Sequence, residues 1–210
     1  MDQPRRRVTS DRDAYLASDY IVDHDDPRIR TVAARLREDD PVATARRSFE
    51  FVRDTIEHSA DHRRSPTTLR ASDVLTAGTG FCYAKSHLLV ALLRANRIAS
   101  GFCYQRLTVD GPNPPFCLHG YVAIELPGFG DYAVDPRGNK PGVDARFEPP
   151  IESLAFPIVN PGEVDFPHVF DRPLEAVVQC LRANPSWDAV LANLPDATDL
   201  DLAMHRSLRT

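Results

Sequence analysis

Apolar residues recur at helical spacing from Asp26 onward: Ile29, Val32, Ala33 and Leu36 share one face, and after Asp39-Asp40-Pro41 a second set runs Ala45, Phe49, Val52, Ile56. Together they predict helices between Asp26 and about His58, with Asp40 capping the second and Pro41 at its first position. The polar stretch from Ser59 to Arg70 carries no period and predicts a surface loop, a candidate wall for a site. Ala71-Ser72-Asp73-Val74-Leu75 predicts a short helical turn. Gly78-Thr79-Gly80 then leads into the strongest helical pattern of the chain, Phe81 to about Asn96, with Ala84, Leu88, Ala91, Leu92 and Ala95 in phase. This is the expected central, buried helix.

After Arg97 the period shifts toward extended structure. Ile98 to Val109, His119 to Leu126 and Gly130 to Asp135 predict three strands, the first two separated by the proline-rich loop Gly111 to Pro115. Three sequential strands imply an antiparallel sheet. Beyond Pro136 the pattern is irregular until a helix is predicted over Pro173 to Leu181, with Asp171 near its cap, and a short one near Trp187 to Leu191. No internal repeat or low-complexity segment interrupts this order. The expected fold class is α+β, in one domain over residues 1–210 with a core at about 40–140 and an irregular, partly helical extension over 141–210.

Composition supports a packed domain: 210 residues with 42% apolar and 26% charged content can bury a sizeable core. A net charge of −5 provides no clustered positive surface for nucleic acid, and Arg5-Arg6-Arg7, flanked by Asp2, Asp11 and Asp13, reads as a solvated terminus. No window approaches the roughly 18 apolar residues that cross a bilayer, and the N-terminus lacks an apolar signal core. No membrane partner is therefore expected, and a cytoplasmic location is. Cys82, Cys103, Cys117 and Cys180 then read as free thiols; none is in a CxxC pair, and no cofactor or metal is expected.

Cys82 falls in the first turn of the central helix, where unpaired backbone N–H groups and the helix dipole favour negative charge. A free thiol has a pKa of about 8.5, which a helix N-terminus and a histidinium lower enough to make a nucleophile at neutral pH. Alone, Cys82 reads better as a small buried hydrophobe, and Gly78 and Gly80 as a turn. The downstream pattern changes that. Leu126-Pro127-Gly128-Phe129-Gly130 is a hairpin turn signal; centred near Gly128, it sets Tyr121 opposite Asp135 and makes His119 its diagonal neighbour on the same face. A slip of one residue would part the two. In register, His119 would take the thiol proton and Asp135 would orient the imidazole. Gly80, Tyr83 and Gln105 are the candidate oxyanion or substrate contacts.

The same residues resemble a known family. Ala71-Ser72-Asp73-Val74-Leu75, Gly80-Phe81-Cys82-Tyr83-Ala84, His119-Gly120-Tyr121-Val122 and Tyr132-Ala133-Val134-Asp135-Pro136 look like the motifs of the transglutaminase-like superfamily over roughly residues 40–140. The resemblance implies a papain-like arrangement, a helix bearing Cys82 packed on an antiparallel sheet bearing His119 and Asp135, and chemistry through a thioester. Asn96-Arg97-Ile98-Ala99 stands where the family often has Gly-Ile-Pro, and Gly120-Tyr121 where a tryptophan often follows the histidine. The expected activity is hydrolysis of an amide or peptide bond, with a peptide or small amide as the partner. An amide-forming acyltransferase and a non-catalytic binding module on the same fold are the alternatives. His87 is read as structural, Lys85 as solvated or salt-bridged, Arg137 as an exposed residue at the rim, Cys103 and Cys117 as incidental thiols, and Asp61-His62 and His24-Asp25-Asp26 as lacking the context of a metal site.

Overall fold

Two Asp-Pro steps start the first two helices. Asp26 accepts from the Arg28 amide at 2.8 Å and Asp40 from the amides of Val42 and Ala43, each at 3.1 Å, which satisfies donors that a helix start leaves unpaired. With proline at the first turn of each, they open α1 (Pro27–Leu36) and α2 (Pro41–Thr55). The computed structural model describes residues 11–198, so the Arg5-Arg6-Arg7 run lies outside the described residues. A two-residue strand, β1 (Glu57–His58), follows, and α3 (Ala71–Ala77) runs two residues past the expected turn before Gly78 ends it in the left-handed region at φ 66°.

β2 (Thr79–Gly80) pairs in parallel with β1 and delivers the chain into α4 (Cys82–Ala95). Every α4 residue from Cys82 to Arg94 is buried, so α4 has no solvent face. A helix covered on all sides is the centre of a core. Helices α1, α2 and α3 pack against it, and the sheet covers another side.

The main sheet has the order β5-β4-β3-β8, built from β3 (Ser100–Thr108), β4 (Phe116–Leu126), β5 (Gly130–Val134) and β8 (Val164–Asp165). The three expected strands are present and antiparallel, but β4 begins at Phe116, which places Cys117 within the strand, opposite Leu107. Both faces of the sheet are covered. Phe102, Tyr104 and Val122 join the main apolar cluster, while Cys103, Tyr121 and Ala123 join a second one with Tyr15, Leu16 and Val169.

The stretch beyond Pro136 holds more regular structure than its pattern suggested. A hairpin, β6 (Arg146–Glu148) with β7 (Ile151–Ser153), precedes β8, which extends the sheet. Strands of two or three residues are too short to display a period. α5 (Glu175–Ala183) and α6 (Trp187–Ala192) close the described chain. Asp171 does not cap α5, whose N-cap is Leu174 without a side-chain bond; the Asp171 carbonyl instead accepts from buried Arg94 at 2.6 Å. Among the described residues, no helix is long and apolar enough to cross a membrane.

Candidate active site

Cys82 occupies the first position of α4, and Phe81 at the N-cap offers no side-chain acceptor, so the opening amides of the helix keep their donors. The approach to this point is tight. A Cβ on Gly80 would lie 3.1 Å from the Ala84 Cβ and 3.3 Å from Thr68 Oγ1. Glycine at 80 thus makes room for the protein's own side chains, and the Gly80 carbonyl accepts from the Ser59 amide at 3.0 Å. Cys82 as a whole is 7% exposed.

β4 carries His119 and the residue after β5 is Asp135. The β4–β5 register pairs Val122 with Val134, which sets Tyr121 against Asp135 at the next step and His119 diagonal to it. His119 Nε2 lies 2.7 Å from Asp135 Oδ2. The carboxylate is itself fixed, accepting the Arg137 amide on Oδ1 and the Ala155 amide on Oδ2, both at 3.1 Å. With Nε2 so engaged, Nδ1 is the nitrogen left for Cys82. Burial opposes a charge on His119, but the Asp135 carboxylate and then Cys82 outweigh it and push the pKa up to about 10. Burial would likewise raise Asp135, and the imidazolium and the two amides hold it below its ordinary value instead.

Gln105 sits directly opposite His119 in the β3–β4 ladder. Its Nε2 donates to the Phe156 carbonyl at 3.2 Å, while Oε1 is buried without a hydrogen bond among the described residues. One of its two N–H donors is thus committed to the backbone. The Tyr83 hydroxyl donates to the Leu118 carbonyl inside the core, so only its main chain faces the helix start. His87 is buried, its Nδ1 2.7 Å from the Leu69 carbonyl, and burial lowers its pKa to about 4.

Lys85 and Arg137 depart most from their sequence reading. Lys85 is fully buried and, among the described residues, pairs with no carboxylate; its Nζ donates to the carbonyls of Ile56 and Arg53, where α2 ends. Burial, with repulsion from Arg137, brings its pKa down to about 7. Arg137 is 6% exposed and makes a two-pronged pair with Asp61 at 2.6 and 3.0 Å, which Lys140 joins at 2.7 Å. Next to them His58 lies buried, edge-on to the Phe81 ring at 5.5 Å, and burial followed by the Arg137 charge holds its pKa well below its ordinary value. The signal for Lys85 was present, because a lysine inside an otherwise apolar helix must share its burial. None marked His58 or Phe156, whose ring meets His119 edge-on at 4.9 Å. Among the described residues, no group of three or more His, Cys, Asp or Glu side chains is placed to hold a metal ion.

The family model of the transglutaminase-like superfamily matches residues 30–136, half of the chain. The protein belongs to that superfamily, a family of cysteine-based enzymes. Among solved structures, a candidate cysteine protease from Cytophaga hutchinsonii is 19% identical with a TM-score of 0.49, over 62% of this chain and 43% of its own. The periplasmic domain of TgpA from Pseudomonas aeruginosa is 21% identical with a TM-score of 0.46, over 60% of this chain and 46% of its own. The chain thus spans less than half the length of either structure. No curated protein matches it significantly.

Proposed function

We propose that this protein is a thiol-dependent hydrolase of an amide or peptide bond, with Cys82 as nucleophile, His119 as acid and base, and Asp135 orienting the histidine. The observation that carries the reading is the 2.7 Å His119–Asp135 bond, its carboxylate pinned by two backbone amides, beside a cysteine at an uncapped helix start. The Asp135 carboxylate helps hold His119 cationic to about pH 10, so the histidine carries its proton at neutral pH, the partner that a cysteine nucleophile needs beside it. The thiolate adds to the substrate carbonyl carbon, and the oxygen gains the negative charge, which the first amides of α4 are placed to stabilise. Collapse breaks the C–N bond, and the amine departs with the proton of His119, leaving a Cys82 thioester. Water then attacks the thioester while His119 takes its proton; the C–S bond breaks and a carboxylic acid leaves.

The same thioester passes to an amine when one outcompetes water. Hydrolysis is preferred because water needs no second binding site. A peptide or small amide is the proposed substrate, and the cytoplasm the proposed compartment, since the chemistry needs Cys82 reduced.

The test is the rate of Cys82 alkylation by iodoacetamide against pH, located by peptide mass spectrometry, in the native protein and in His119→Ala. Rapid labelling near pH 6.5, about two units below an ordinary thiol pKa, that is lost in the variant is the expected result. Labelling that is slow, or indifferent to His119, overturns the assignment.

A further inference from the structure

β3 and β4 lay out a surface beyond the three reacting residues. Alternation along the strands puts Gln105 and Leu107 on one face of the sheet, and their partners His119 and Cys117 on that same face. Leu107 is therefore the diagonal neighbour of His119, with backbones roughly 7–8 Å apart. Over this face runs the segment that follows β7. It is fastened at two points, by the Ala155 amide on Asp135 and by Gln105 on the Phe156 carbonyl. The Phe156 ring lies between these anchors, edge-on to His119, with the Arg137 guanidinium 5.6 Å from its centroid on another side.

Phe156 also walls a cleft of about 350 Å³, whose lining includes Leu107 and Val159. That volume is at the lower end of ligand sites, which run to roughly 300–1,000 Å³, and suits one large side chain. Polar groups line it as well, but Glu163, Asn160 and Thr108 bond to one another. Glu163 accepts from the amides of Thr108, Val159 and Asn160 and from the Thr108 hydroxyl, and the Asn160 amide group donates to Thr108 Oγ1 and Glu163. Against the effect of burial, these bonds hold Glu163 at a pKa of about 2, so the carboxylate is ionised and fully engaged. What the cleft offers a visitor is apolar surface. Its rim continues that character, with Val159 71% exposed and Ile158 40% exposed beside it.

We propose that this cleft is the acyl-donor subsite, taking the uncharged apolar side chain of the residue that carries the scissile carbonyl, with Phe156 as the wall shared between subsite and histidine. The proposal rests on Cys82 being the nucleophile. It makes the segment after β7, which lies beyond the family match at residues 30–136, the part of the chain that sets specificity.

Chloromethyl ketones test it without knowledge of the natural substrate, because the thiolate displaces chloride from the methylene carbon and forms one S–C bond. The rates of Cys82 modification by benzyloxycarbonyl-leucyl, -glycyl and -glutamyl chloromethyl ketones are compared in the native protein and in Val159→Glu, with iodoacetamide as the reagent lacking a side chain. A leucyl rate at least about 10-fold above the other two, falling toward the glycyl rate in the exposed Val159→Glu variant, is expected for a side chain seated in an apolar pocket. Fast labelling by iodoacetamide without a leucyl preference, or a preference untouched by Val159→Glu, overturns the subsite and leaves the nucleophile standing. Slow labelling by iodoacetamide removes the nucleophile, and the subsite falls with it.

Discussion

His119 and Asp135 each favour the other's charged form, which ties the stability of the fold to pH. The folded histidine binds its proton more tightly than an unfolded one, with a pKa raised from 6.5 to about 10. Its contribution is complete below pH 6.5 and is lost as pH rises through about 10. Asp135 runs the other way: its pKa is lowered from 3.8, so its contribution is present above that value and lost as pH falls through the folded one. The pair therefore stabilises most between about pH 4 and 6.5. Urea unfolding of the native protein and His119→Gln should differ most in that window and converge toward pH 10. A difference that is flat with pH would mean that the two residues are not an ion pair in the folded chain. Much of this pair was legible beforehand, since the Gly128 turn sets the register and the register sets the diagonal. The bonds from Ala155 and Arg137 to the same carboxylate were not, because amides carry no residue-specific signal.

At the scale of elements, the sheet and the central helix are held by groups that periodicity assigns to solvent. Lys85 stands one turn after Cys82, and its Nζ donates to the carbonyls that end α2. Arg94, at the other end of α4, donates to the carbonyls of Ala17, Ser100 and Asp171, and so joins three segments distant in sequence. β3 is equally constrained at Gly101. A Cβ there would come within 2.7 Å of the Phe170 carbonyl oxygen and 2.8 Å of the Tyr15 ring. The backbone cannot yield without breaking the paired Phe102–Phe170 hydrogen bonds of 2.8 and 2.9 Å. Gly101→Ala should cost about 1–3 kcal/mol of stability, an overpacking effect read as a lower urea midpoint at unchanged slope. An unaltered midpoint would show that the strand shifts freely.

For the whole molecule, the sequence between the Asp40 cap and Pro136 holds the three residues proposed to react but does not complete their surroundings. The main apolar cluster continues through Phe166, Phe170, Leu174, Val177 and Leu181. Tyr104 accepts the Leu174 amide at 3.1 Å, and β8 adds the outer strand of the sheet. Removing everything after residue 140 would strip Asp135 of its Ala155 bond and expose one side of the sheet. Such a fragment should show no cooperative urea transition and no activated labelling of Cys82. A sigmoidal transition with native reactivity would show that the later segments are dispensable.

Local chemistry in the sequence determined the starts of α1 and α2, the position of α4, the antiparallel run β3–β4–β5 and its register, because caps, periods and tight turns act between near neighbours. Those same rules brought Cys82, His119 and Asp135 into view as a set. Only the tertiary structure decided that α4 is buried on every side, so that Lys85 answers to carbonyls of α2 instead of water. It also decided that Arg137 turns inward to Asp61, that short strands with no period of their own become ordered on the sheet, and that Phe156 comes to rest on His119. Each of these depends on what lies across the fold, and the free energy of burying an apolar ring or pairing a desolvated charge is set by the partner it meets.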